Sequence, residues 1–210
     1  GTVNILKNVI TSNNTSGGEG GGIRIQEGTI DASQIEISDN TSSQSYGGGI
    51  FINHCPGSVK SSLIFRNTAT KGGGIYYSGG TTTFKSLIVN NRAWNTGGGI
   101  YLSGSSNIII DSTSIVSNHA PNGGAVFVPE GINGATISRT TIWQNSSPNI
   151  DGIYINPWGS INNISITNSN INNSGYSIYN GNTINVVSGI DNYWGHTTGP
   201  YHPTQNSTGQ

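Results

Sequence analysis

The stretch "TKGGGIYYSGG", Thr70 to Gly80, is followed twenty-five residues further on by "NTGGGIYLSG", Asn95 to Gly104. A lone glycine triplet reads as a flexible linker. A triplet that returns at a fixed interval, fused to the same isoleucine and tyrosine, reads as one rung of a repeat. Working outward, the glycine-led hydrophobic residue recurs at Ile23, Ile50, Ile75, Ile100, Val126, Ile153 and Ile178, in steps of 27, 25, 25, 26, 27 and 25. A second ruler, Ile-x-x-Asn, ends at Asn13, Asn40, Asn67, Asn91, Asn118 and Asn145, in steps of 27, 27, 24, 27 and 27, and degrades to "INNS" at Ser174. Two independent rulers with one period define a solenoid.

Each repeat holds short alternating or β-branched runs separated by Gly, Asn and Ser, with nothing of helical period. A hairpin meander would need a turn pair such as Asn-Gly in every repeat, and those pairs are mostly missing. The sequence therefore predicts an all-β, right-handed parallel β-helix, a single-stranded solenoid of about seven coils of 24–27 residues over 1–190. From residue 191 the chain turns to "DNYWGHTTGPYHPTQNSTGQ", and 191–210 is expected to be an irregular tail that begins a cap or linker, because an open solenoid end exposes strand edges.

Each repeat position then becomes a column. The glycines allow a turn with positive φ and close backbone approach. The isoleucine points inward, and the next residue points outward because strand side chains alternate. That outward column reads Arg24, Phe51, Tyr76, Tyr101, Phe127, Tyr154 and Tyr179. The following inward column reads Ile25, Ile52, Tyr77, Leu102, Val128, Ile155 and Asn180. The Ile-x-x-Asn asparagines are placed at a tight corner, where Asn tolerates the left-handed region and can bond from coil to coil as a ladder.

The chain carries 8% charged residues, 32 glycines and a formal charge of −1. Disorder needs a higher net charge and fewer β-branched residues than this. Near-neutral charge gives no electrostatic reason to expect nucleic acid or an anionic membrane as partner, and no apolar run is long enough to span a bilayer. The single cysteine, Cys55, cannot close an intramolecular disulfide and is read as a small, half-buried residue. The chain opens on "GTVNILKN" and has no methionine, so the expectation is a segment or mature product of a longer exported chain.

The combination of "GGGIY" or "GGAVF" with Ile-x-x-Asn resembles the repeats of bacterial surface-exposed right-handed β-helix proteins, including polymorphic outer-membrane-protein passengers with their GGAI and FxxN motifs; pectate-lyase-like solenoids share the general plan. The likeness covers roughly Ile5 to Asn192, and the sequence departs from it in using Ile where those passengers favour Phe. The tail "DNYWGHTTGPYHP" looks like segments that close β-helix domains ahead of a sorting or anchoring region. The resemblance implies export, an extracellular or bacterial cell-surface location, and functions ranging from adhesion to polysaccharide cleavage.

Catalysis by a β-helix lyase needs clustered carboxylates with a nearby base, and by a hydrolase two carboxyls on one face. The acids Glu19, Glu27, Asp31, Glu36, Asp39, Asp111, Glu130, Asp151 and Asp191 rarely coincide by column. Asp111 shares its column with Lys60 and Ser138, and Asp39 sits one coil below Arg66 as an exposed ion pair. His54, His119, His196 and His202 follow no metal-ligand spacing. The expectation is thus no catalytic residue, metal or cofactor in this segment, and a display or adhesin-like module, with a polysaccharide lyase or glycoside hydrolase as the alternative. Candidate partners are a polysaccharide or a cell-surface protein. Candidate binding residues are the outward aromatics Phe51, Tyr76, Tyr101, Phe127 and Tyr154, an exposed apolar stripe whose ring faces could meet sugars, set against the alternative that the stack only stiffens the sheet or is covered by the glycine-rich corners. On the binding reading, removing Tyr76 and Tyr101 would cost binding more than stability.

Overall fold

The structure is a computed structural model that describes residues 3–132, 134–158, 163–181 and 187–194. About seven coils stack into a β-solenoid in which every strand pairing found is parallel and no helix occurs among the described residues. Each coil presents up to three long faces and one short one. The first face holds Ile23–Gln26, Ile50–Asn53, the start of Ile75–Val89, the start of Ile100–Asp111, Val126–Val128, Ile153–Ile155 and Ile178–Asn180. Its register runs Ile23, Ile50, Ile75, Ile100, Val126, Ile153, Ile178, so the glycine-led ruler is the coil repeat itself.

The second face runs from Val3–Lys7 and Thr29–Ser33 through to Gly134–Ser138, Ile164–Thr167 and Ser188–Ile190. The third holds Ile10–Ser12, Glu36–Ser38, Ser114–Val116, Thr141–Trp143 and Asn170–Asn172. A short fourth ladder joins Thr15–Ser16, Thr41–Ser42, Thr68–Lys71 and Arg92–Thr96. Pairing continues past residue 190, because Tyr193 bridges Asn170 and the Ile171 N–H donates to the Tyr193 carbonyl at 2.7 Å. Residues 195–210, which make up most of the expected tail and include His196, His202, Pro200 and Pro203, lie outside the described residues.

The inward columns form one continuous core. Ile50, Ile75, Ile100, Val126 and Ile153 are fully buried, as are Ile52 and Tyr77, with Leu102, Val128 and Ile155 close behind. Cys55, expected half-buried, is also fully inside, and burial pushes its thiol up from the ordinary cysteine value.

The order of the glycine triplet now has a physical reason. Gly72 adopts a φ of +63°, the left-handed region that a Cβ disfavours. A Cβ on Gly73 would stand 2.4 Å from the Arg92 backbone and 2.6 Å from the Gly98 carbonyl of the next coil. One glycine turns the chain and the next lets two coils touch.

The asparagine corner differs from expectation by one residue. The left-handed residue is the one before the ladder asparagine: Asp39, Arg66, Asn90, Ser117 and Gln144 have φ between +52° and +56°. In the first coil this role falls to Asn13, at +57°, and Asn14 is the rung; in the last, Asn173 is the rung rather than Ser174. Asn40, Asn67, Asn91, Asn118 and Asn145 are buried. The Asn118 Nδ2 donates to the Ile88 carbonyl and to Asn145 Oδ1, both at 3.0 Å, while its Oδ1 accepts from the backbone N–H and Nδ2 of Asn91 at 2.9 and 3.0 Å. A left-handed non-glycine residue costs about 1–2 kcal/mol, and the saturated amide column is what holds each corner in that conformation.

Candidate functional site

The outward aromatics do form a column, and the structure corrects what that column presents. Phe51, Tyr76, Tyr101, Phe127 and Tyr154 stack in sequence with ring centroids 5.2, 5.1, 5.3 and 5.1 Å apart and interplanar angles of 4–11°. Tyr179 continues the column at 5.2 Å, tilted by 30°. Strand spacing dictates this: parallel strands repeat every ~4.8 Å, so rings at identical positions must lie face to face. Each interior ring therefore has both faces covered by its neighbours, and Phe51, Tyr101 and Phe127 are only 6%, 7% and 8% exposed. Tyr76 and Tyr154 are half-buried.

A second set of residues seals part of the column. Tyr46 stacks on Tyr76 at 4.8 Å, and Lys71 places its Nζ 5.5 Å from the Tyr46 ring and 5.2 Å from the Tyr101 ring. Arg24 covers the Phe51 end at 5.8 Å. Burial, reinforced by the neighbouring Tyr76 and Tyr46, pushes the Tyr101 hydroxyl up to about 12, and burial raises Tyr76 and Tyr154 as well. The expected exposed stripe is thus an edge-on ladder. Ring faces, the part an aromatic offers to a sugar, are already used within it.

The charged groups are distributed as the columns foretell. Arg66 donates to both Asp39 oxygens, at 2.6 and 2.7 Å, and holds that carboxyl below the usual aspartate value. Asp111 pairs with Arg139 at 2.5 Å and accepts from Ser138 at 2.7 Å. Asp151 is buried and accepts from the Gly175 and Ser147 N–H groups at 2.6 and 2.7 Å and from the Ser174 hydroxyl at 3.1 Å, which ties two corners together. No group of three or more His, Cys, Asp or Glu side chains that could hold a metal occurs among the described residues. His119 Nδ1 lies 2.9 Å from the Ser146 hydroxyl on the surface, one rung apart in the corner ladder.

Sequence reasoning missed one feature. A cleft of about 500 Å³ opens beside the asparagine corner of the later coils, lined by Trp143, Gln144, Ser146, Asn172, Asn173 and Ser174 among others. It exists because the outward column at that edge of the third face steps from Val116 to Trp143 to Asn172, so a large indole borders a short amide. The only cue in the sequence was a tryptophan in "IWQN" where the neighbouring repeats have smaller residues.

No protein-family model matches this chain, and no curated protein or solved structure is detectably similar to it. The fold itself defines the class, a parallel β-solenoid of about seven turns built from one repeated coil.

Proposed function

We propose that this chain is a non-enzymatic display module of the extracellular or bacterial cell surface, a stiff rod that carries or spaces a recognition element. The observation that carries the reading is the unbroken coil-to-coil continuity. The same inward isoleucines, the aromatic stack and the asparagine amides run along one axis with no coil inserted or skipped. A solenoid whose every contact is with its nearest neighbour acts as a spacer along its length, and its outer columns are free to vary. The repeat resemblance supports export and surface display.

The experiment has two arms. Antibody labelling and protease shaving of intact host cells should detect the chain without lysis. Incubation with a panel of acidic and neutral polysaccharides, read by new reducing ends and by unsaturated uronates, should give no turnover. Signal only after lysis contradicts the location, and turnover of any substrate moves the chain to the polysaccharide-active enzymes.

A further inference from the structure

We propose that the cleft beside Trp143 is a carbohydrate-binding site for a neutral, β-linked hexopyranoside chain. This goes beyond the display reading, since a spacer needs no such site.

Three observations converge on that ligand. The first concerns which aromatic face is free. The ladder tyrosines cover one another, and Trp94 carries the Arg92 guanidinium 4.0 Å above its ring. Trp143 is 47% exposed and Trp158 74%, neither with a ring or cation stacked on it among the described residues, and of the two it is Trp143 that lines the cleft. Its neighbours in register are Val116 on one side and the short Asn172 on the other, so the step down to Asn172 leaves open space beside the indole.

The second is the chemistry of the lining. Gln144, Ser146, Asn172 and Ser174 offer amides and hydroxyls, and no ionisable side chain lines the cleft. Phosphate, nucleic acid and uronate ligands would ask for Arg or Lys there. A flat apolar face ringed by neutral donors and acceptors instead matches a sugar whose axial C–H groups stack on an indole while its hydroxyls exchange hydrogen bonds around the rim. An all-equatorial β-linked pyranoside presents such C–H groups on both faces.

The third is an unfilled donor. Each interior ladder asparagine gives its amide hydrogens to a carbonyl of one neighbouring coil and to the next asparagine. Asn173 ends that run: it is 5% exposed, it lines the cleft, and its Nδ2 has no partner among the described residues. An unpaired buried amide is costly, so a residue that lines the cleft carries a donor that the described residues leave unsatisfied.

The test uses the whole chain and named probes: cellohexaose, laminarihexaose and chitohexaose, with hexagalacturonate as the charged comparison. Saturation-transfer NMR and tryptophan fluorescence titration should show saturable binding of at least one neutral hexasaccharide, with hexagalacturonate weaker. Trp143→Ala should weaken that binding by at least about tenfold. Trp143→Phe should keep part of it, and Trp94→Ala and Trp158→Ala should leave it unchanged. Because Trp143 is exposed, the Trp143→Ala protein should melt with the parent. The proposal is overturned if no neutral probe saturates, if hexagalacturonate binds best, or if binding survives Trp143→Ala or is abolished by Trp158→Ala.

Discussion

Two ladders run the length of this solenoid, and they solve the same stacking problem by opposite means. The asparagine ladder lies inside a corner and is directional: each interior amide gives one hydrogen to the asparagine of the next coil and one to a carbonyl of the coil before, and accepts from the asparagine of the coil before, so every rung depends on the rung beside it. The aromatic ladder lies outside the first face, and its rings need only be flat and in register. Phe and Tyr therefore exchange freely along it, whereas the interior rungs of the other ladder are all Asn from Asn14 to Asn173. A column that tolerates two residue types is held by contact area, and one that tolerates a single type is held by hydrogen-bond geometry.

The sharpest way to break this contrast is to remove a middle rung of the directional ladder. Asn118→Ala orphans the buried Ile88 carbonyl and the Asn91 N–H. Each orphan costs about 1–3 kcal/mol, so a total loss of about 3 kcal/mol or more is expected, with a fall in Tm on the order of 10 °C. Asn173→Ala, at the end of the run where the amide nitrogen already has no partner among the described residues, should cost distinctly less. Thermal melts of the two variants side by side check this, and equal losses would mean that the ladder does not act as a chain.

A smaller effect separates stacking from polarity in the outer ladder. Burial raises the folded-state pKa of Tyr101 to about 12, above the unfolded tyrosine value of about 10. An acid with a raised folded-state pKa is favoured in its neutral form by the fold. Its contribution is full below pH ~10 and is lost as pH rises toward about 12. Tyr101→Phe keeps the ring and removes the ionisation. Denaturant melts should show near-parent stability at pH 7 and a shallower decline between pH 10 and 12. A decline as steep as the parent's would assign the alkaline sensitivity to other groups.

Much of this architecture was legible because the period acts on side chains of fixed parity. The glycine-led residues Ile50, Ile75 and Ile100 are register partners one coil apart, and the alternation assigned Tyr76 outward and Tyr77 inward. What was not legible depends on neighbours between coils. Phe51 and Tyr101 are outward yet buried, because the ~4.8 Å rise brings adjacent rings into contact and because Arg24 lies over Phe51 and Lys71 over Tyr101. The one-residue offset between Asn13 and Asn14 was hidden because two asparagines adjoin, and only pairing shows which takes the left-handed φ. The Trp143 cleft depends on the size of Asn172 one coil away, a relation that local motif reading does not include.

The most direct test of this account is the double substitution Tyr76→Ser with Tyr101→Ser. One of the two readings from sequence made these rings a platform whose loss would cost stability only modestly. In the structure they are adjacent rungs of a sealed stack, in contact with Tyr46, Phe51 and Phe127. Removing both should cost about 3–5 kcal/mol in buried aromatic area and lost stacking, and lower the Tm by on the order of 10 °C. Hexasaccharide binding measured below the new melting point should match the parent. A double variant that melts with the parent yet loses carbohydrate binding would contradict the account and return the site to the aromatic column.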